Sequence, residues 1–266
     1  MGDSTQHMNR VVCSWSGGID STGVVANLLR RGYDVRAITY HIYGRSFGAR
    51  EARARAALKE VFATLGGHFE HHEEDADWIW AFSPDGVEIP RRNKHLIDRL
   101  ALVECARAET HNLGMGEYVG ADTWLVADHV AAADADARSL TAYLYAEYGM
   151  GYRLFTLADF GESRYKVNRL RLCYDAIGEA VNLTSVCLRD FDRHCGQCYK
   201  CIERAAAFDL AGYVDETVYL EDPRRAANFG LYLAQMKGLT VNVSYRTFPH
   251  DRMPVSASQG MEAPAS

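Results

Sequence analysis

The sequence predicts an α/β protein built on a doubly wound, mainly parallel sheet. Three observations carry this expectation. Short apolar β-prone runs alternate with longer segments of helical period. Glycines punctuate the joins between them. The first apolar run leads directly into SGGIDS, Ser16 to Ser21, a glycine turn of the kind that sits between a strand and a helix at the carboxyl end of a parallel sheet.

Val11 to Trp15 is apolar and reads as the first strand. Ser21 to Arg31 carries apolar residues at 24, 25, 28 and 29, a helical stripe closed by Gly32. Val35 to His41, VRAITYH, is the second strand. Arg50 to Leu65 places Ala54, Leu58, Val61, Phe62 and Leu65 on one helical face and stops at Gly66 and Gly67. His68 to His72 predicts a third strand, Asp85 to Asn93 a loop, His95 to His111 a helix and Tyr118 to Ala121 a short strand. Further on, Arg153 to Leu157 predicts a strand, Lys166 to Ala180 a helix and Tyr199 to Leu210 another. The tail from Met253 is small, polar and proline-containing, and is expected to be disordered.

With 48% hydrophobic and 24% charged residues in 266, the composition is that of a soluble globular protein with a sizeable core. A net charge of −6 and a pI near 5.9 argue against a large nucleic-acid footprint. No run approaches the roughly 20 apolar residues of a membrane span, and MGDSTQHMNR lacks the layout of a signal peptide. A cytoplasmic location and reduced cysteines are therefore expected. Of the seven cysteines, Cys13, Cys105 and Cys173 stand alone in apolar patterns and read as small buried hydrophobes. Cys187, Cys195, Cys198 and Cys201 instead form a C-x7-C-x2-C-x2-C cluster, which in a reducing compartment points to a metal.

The glycine loop fails both common phosphate fingerprints. No lysine follows the glycines as a Walker loop requires, and the Gly17-Gly18 pair lacks the spacing of a dinucleotide turn. SGGIDS instead resembles the pyrophosphate loop of the PP-loop ATP pyrophosphatase superfamily. That resemblance implies ATP as substrate, cut between its α and β phosphates. The amides of Gly17, Gly18 and Ser21 and the hydroxyls of Ser16 and Ser21 would clamp the leaving pyrophosphate, and Asp20 would place Mg²⁺ or order the loop.

A second signature narrows the family. Cys187, Cys195, Gly196, Cys198 and Cys201, then Arg204, Phe208, Gly212, Asp215, Thr217 and Tyr219, resemble the carboxyl-terminal zinc region of the 7-cyano-7-deazaguanine synthase family. IPRRN, Ile89 to Asn93, resembles that family's V-P-x-R-N. The resemblance implies adenylation of the carboxylate of 7-carboxy-7-deazaguanine, attack by ammonia, and a nitrile product on the way to queuosine. Catalytic roles fall to Asp20, Ser21, Arg92 and Lys166, with ATP held by Ser16, Gly17, Gly18, Asp20, Ser21, Arg92 and Asn93. Gap-free comparison offers Arg164 in place of Lys166. Four thiolates close a tetrahedral Zn²⁺ site. An iron–sulfur cluster is the rival, and no fourth cysteine follows Cys201 at the ferredoxin distance.

The implied organisation is an ATP-binding domain over 1–183, a cysteine-rich zinc segment over 184–222, an extension over 223–252 and a tail over 253–266. A homodimer is usual for the resembled family. The resemblance breaks at the substrate loop, where GADTWLVADHVAAADADAR stands in place of the family's D-Y-S-G-Y-P-D-C-R and only Asp136 and Arg138 can be set against its end. The loop after the second strand, YGRSFGAR, departs as well. An altered acceptor loop suits a second reading, in which the activated deazaguanine is joined to a protein amino terminus, as in relatives linked to antiphage defence. A non-catalytic ATP sensor is the third, against which Ser16, Asp20 and Ser21 count. His71 and His72, adjacent in a strand, are expected at a solvated strand end rather than on a metal. Trp78 and Trp80 suit core packing as well as purine stacking.

Overall fold

The computed structural model describes residues 9–41, 48–75, 104–105, 108, 110, 112–114, 153–163, 165–187 and 193–238. Its strands are β1 (Arg10–Ser14), β2 (Asp34–His41), β3 (Phe69–Asp75), β4 (Asn112–Gly114) and β5 (Arg153–Phe155). Its helices are α1 (Ile19–Arg30), α2 (Gly48–Phe62), α3 (Lys166–Ile177), α4 (Tyr199–Ala211) and α5 (Phe229–Met236). The strands form one sheet in the order β3-β2-β1-β4-β5, and every pairing is parallel.

The order explains where a ligand belongs. From β1 the chain moves outward to β2 and β3, then returns to place β4 on the other side of β1. The carboxyl end of β1 is the switch point of strand order, the place where open parallel sheets take a ligand in a crevice. Central position also explains the composition of β1: Val11, Val12 and Cys13 point alternately to the two faces of the sheet and all are buried. The predicted stripe of α1, Val24, Val25, Leu28 and Leu29, is buried against it. In the same apolar cluster Trp15 meets Phe62 of α2 and Phe69 of β3 at ring separations of 5.3 and 5.6 Å. A second apolar cluster joins Ile19 of α1 and Leu170 of α3 to Ile202, Ala206 and Phe208 of α4 and Tyr232 of α5.

Three expectations need correction. The helix predicted to reach His111 has ended by Thr110, whose amide bonds back to Cys105. β4 begins at Asn112 because Val12↔Leu113 and Cys13↔Gly114 pairing with β1 outweighs local propensity. α3 gives way at Gly178 to a 3₁₀ turn over Gly178–Leu183, short of the predicted Ala180. His71 is not solvated: strand alternation turns it inward, edge-on to Trp15 at 4.9 Å with Nε2 2.9 Å from Thr39 Oγ1, while His72 faces the other side. Burial, together with Lys59 and Arg55, lowers the His71 pKa to about 4. The imidazole is neutral at neutral pH. The strand predicted at Tyr118 to Ala121 and the residues Trp78 and Trp80 lie outside the described residues.

The lone cysteines pack as the sequence suggests. Burial raises the thiol pKa of Cys105 and Cys173 to about 12 and pushes Cys13 higher still. Cys13 also fixes the residue opposite, since a Cβ on Gly114 would collide with its Sγ. Gly114→Ala is accordingly expected to lower stability by about 1–3 kcal/mol through overpacking between β1 and β4. A denaturant titration with an unchanged m-value checks it. Among the described residues no helix is long and apolar enough to cross a membrane.

Candidate active site and metal centre

The loop Ser16–Ser21 closes on itself. Ser21 Oγ lies 3.2 Å from both the Ser16 amide and the Ser16 hydroxyl, and Ser16 Oγ accepts from the Gly18 amide at 3.3 Å. Gly17 adopts φ +81°, and a Cβ there would press on Arg55 Cγ of α2 at 3.1 Å, so both conformation and space call for glycine. Gly18 is the N-cap of α1 and offers no capping side chain. The first amides of α1 therefore point at the crevice with the positive end of the helix dipole, an arrangement suited to phosphate oxygens. Trp15 Nε1 donates to Thr22 Oγ1 at 3.1 Å and ties the strand to the helix behind the loop.

Asp20 lies in the first turn of α1 and gathers cations. Lys166 Nζ donates to Asp20 Oδ2 at 2.7 Å, and Arg169 Nη1 stands 3.5 Å from the same oxygen. Burial raises the Asp20 pKa, but Lys166, Arg169 and Lys200 outweigh it and hold the carboxyl well below its usual range. Asp20 is thus ionised at any physiological pH. Lys166 is 4% exposed and Arg169 fully buried, one helical turn apart on the face of α3 that also buries Leu170 and Cys173. Two cations on an apolar stripe are costly unless a site needs them.

A strap of chain, Thr184 to Cys187, runs beside the loop. The Ser185 amide donates to the Gly17 carbonyl at 2.9 Å, and a Cβ on Gly18 would lie 3.4 Å from the Ser185 carbonyl oxygen. Two buried arginines hold the strap. Arg50 of α2 donates from Nε to Ser185 Oγ at 3.0 Å and from Nη2 to the Cys187 carbonyl at 2.6 Å. Arg204 of α4 donates to Thr184 Oγ1 at 2.7 Å and to Asp215 Oδ1 at 3.2 Å. Asp215 also accepts from the Tyr219 hydroxyl at 2.7 Å. Burial raises the Asp215 pKa, yet Arg204, Thr217 and Tyr219 bring it below the ordinary value.

The strap ends in the cysteine cluster. Cys187, Cys195, Cys198 and Cys201 are all buried, and their sulfurs lie within 4.8 Å of one another. The separations of 3.5 Å (Cys198 to Cys201) and 4.0 Å (Cys195 to Cys201, Cys187 to Cys198) bracket the roughly 3.8 Å expected around a tetrahedral ion with 2.3 Å metal–sulfur bonds. Amides of Cys195 and Cys198 donate to Cys187 and Cys195 sulfurs at 3.3 and 3.2 Å, which stabilises thiolate. Hydrogen bonds among the sulfurs hold Cys187 far below an ordinary thiol pKa. Gly196 permits the turn: its φ is +76°, and any Cβ would collide with the Glu221 carbonyl oxygen. The donor set fits one thiophilic ion.

Of the residues singled out in the sequence, Ser16, Gly17, Gly18, Asp20, Ser21 and Lys166 come together at the crevice, and the four cysteines gather beside them. Arg92, Asn93, Asp136, Arg138 and Arg164 lie outside the described residues. Sequence reasoning missed Arg50, Arg169 and Ser185. Arg169 carried a readable signal, a cation at i+3 from Lys166 within the buried stripe of α3.

No protein-family model matches the chain. It is 25% identical over 242 residues to the 7-cyano-7-deazaguanine synthase of Methanococcus maripaludis strain C7, covering 79% of this chain and 99% of the relative. With the 7-cyano-7-deazaguanine synthase of Methanoculleus marisnigri it shares 28% identity over 232 residues, 80% of this chain and 99% of the relative. Among solved structures, the U34-tRNA thiolase NcsA from Methanococcus maripaludis with its [4Fe-4S] cluster aligns over 90% of this chain and 77% of its own, at 13% identity and a TM-score of 0.43. Loop, parallel sheet and cysteine cluster thus accompany a sequence similarity to 7-cyano-7-deazaguanine synthases, at 25% to 28% identity across about four fifths of the chain.

Proposed function

We propose that the chain is an ATP-dependent carbon–nitrogen ligase that activates the carboxylate of 7-carboxy-7-deazaguanine as its adenylate and passes it to ammonia. The observation that carries this reading is the Asp20–Lys166 pair, which sets a cation at the mouth of a glycine loop opening onto the first amides of α1. The similarity to 7-cyano-7-deazaguanine synthases supplies the substrate class.

In this reading the substrate carboxylate oxygen attacks the α phosphorus, and the bond from that phosphorus to the bridging oxygen breaks. The leaving pyrophosphate is received by the amides of Gly17, Gly18 and Ser21 and the hydroxyls of Ser16 and Ser21, all held before the reaction begins. Lys166, oriented by Asp20, meets the charge that builds on the α phosphate. Ammonia then attacks the acyl carbonyl and AMP leaves, giving the amide. Repeating the activation on the amide oxygen, with loss of a proton and AMP, gives 7-cyano-7-deazaguanine.

Asp20 Oδ1 is left to order Mg²⁺, which neutralises phosphate charge when bound. Zn²⁺ on the four cysteines is structural, since a site closed by four thiolates has no position for substrate; sulfurs this close suit a single ion better than a cluster. Arg92 and Asn93 are assigned to ATP, and Asp136 and Arg138 to the deazapurine, on their motif positions.

Pyrophosphate release from ATP, measured with and without 7-carboxy-7-deazaguanine, tests the reading. Stimulation by the deazapurine is expected, with a nitrile mass among the products when ammonia is present. Release that ignores the deazapurine would overturn it. A product mass found only on a protein amino terminus would transfer the second half-reaction to a protein acceptor.

A further inference from the structure

The strap Thr184–Cys187 touches both centres, and Arg50 is the side chain that spans the junction. Its guanidinium is buried and rigidly planar, and it reaches Ser185 Oγ at 3.0 Å with one arm and the Cys187 carbonyl at 2.6 Å with another. Ser185 in turn supports the phosphate loop through its amide on the Gly17 carbonyl at 2.9 Å. Cys187 is a member of the cysteine cluster. The same helix, α2, presses Arg55 beneath Gly17, so the loop is confined between α2 and the strap. At the other end Arg204, three residues beyond Cys201 on α4, grips Thr184.

We propose that Arg50 is a positioning residue for the pyrophosphate loop, coupling metal occupancy at Cys187, Cys195, Cys198 and Cys201 to nucleotide binding at Gly17 to Ser21. The inference rests on the nucleotide reading of the loop. The physical reasoning is one of slack. With Ser185 bonded to Gly17 and its carbonyl 3.4 Å from where a Gly18 Cβ would stand, the strap cannot shift without moving the loop. With Arg50 bonded to the carbonyl of a cysteine ligand, the strap cannot hold its position when that cysteine is released. Packed interiors transmit such displacements rather than absorb them. Coupling is reciprocal by linkage, so nucleotide must raise the metal affinity by the same factor as the metal raises the nucleotide affinity.

The test uses the metal-loaded full chain and a non-hydrolysable α,β-methylene ATP with Mg²⁺. Calorimetry first gives the analogue affinity, and transfer of metal to a chromogenic chelator is then timed with and without analogue. In the wild type, saturating analogue is expected to slow metal release by about five-fold or more. Arg50→Met is expected to retain stoichiometric metal, to bind the analogue about ten-fold more weakly, and to lose the nucleotide protection. KM for ATP should rise more than kcat falls. Arg50→Lys, which keeps the charge and one donor, should recover part of both effects. Ser185→Ala removes only the hydroxyl that accepts from Arg50 Nε, keeps the backbone bond to Gly17, and gives the same readout where Arg50→Met does not fold. Equal protection in wild type and variants, or analogue binding without any protection in the wild type, would overturn the coupling. Absence of analogue binding in the wild type would instead overturn the nucleotide reading, a distinguishable result.

Discussion

Lys166→Met is expected to cut deazapurine-stimulated pyrophosphate release by about 10²–10³-fold, the usual cost of deleting a preorganised charge aimed at a transition state. Lys166 is 4% exposed and fixed 2.7 Å from Asp20, so little reorganisation is needed when charge develops on the α phosphate. Methionine keeps the apolar stem and removes only the ammonium. The same variant shifts an equilibrium property. In the wild type the Asp20 carboxyl is depressed, because Lys166, Arg169 and Lys200 together outweigh its burial. Its contribution to stability is therefore present above the unfolded value of about 3.9 and lost only as pH falls through the lower folded value. Without Lys166 the folded value rises, and that contribution begins to fail at higher pH. Acid titrations followed by circular dichroism should show the unfolding midpoint moved upward, and denaturant titrations a stability difference that is largest near neutral pH and shrinks as pH falls through the wild-type Asp20 value. Unchanged pyrophosphate release, with the acid midpoint still moved, would leave Lys166 a purely structural partner of Asp20.

The second large effect concerns the cysteines. Cys201→Ser is expected to lose the metal and to melt the segment around residues 193–221, with a fall in thermal midpoint of the whole chain. Cys201 is fully buried at the start of α4, and its sulfur lies 3.5 and 4.0 Å from those of Cys198 and Cys195. A hydroxyl is shorter and a poorer ligand for a thiophilic ion. Structural zinc contributes about 10–16 kcal/mol to the folding of small zinc domains at neutral pH, so little of this segment's order is expected to survive its loss. Metal analysis should give about one zinc per chain in the wild type and much less in the variant. A brown, iron-containing wild type would replace the single ion by a cluster.

How much of this was written in the sequence depends on range. β1, α1, β2 and α2 were legible because each carries a clear period over a dozen residues or a compact β-branched run. β4 was not: Asn-Leu-Gly has no strand propensity, and only its register against Val12 and Cys13 makes it a strand. α5 was passed over because it is short and follows a turn, and its burial comes from α4 through Tyr232 and Met236. The site divides in the same way. SGGIDS and the cysteine cluster are local patterns, so they announced themselves. Arg50 meets Ser185 across 135 residues, and that partnership has no local trace. Arg169 lay between the two cases, visible as a charge in an apolar stripe but assignable only once Asp20 faced it.

The Asp20–Lys166 pair also orders events in time. The two residues are 146 positions apart. At a synthesis rate of about 5–20 residues per second, the amino-terminal loop waits about 7–30 s on the ribosome for its cation. During that interval the growing chain has β1 and α1 but neither the lysine nor the strap beside Gly17. On the proposed function, a nascent chain therefore has no finished triphosphate site to engage, and nucleotide would act as a folding ligand only after release of nearly the entire polypeptide.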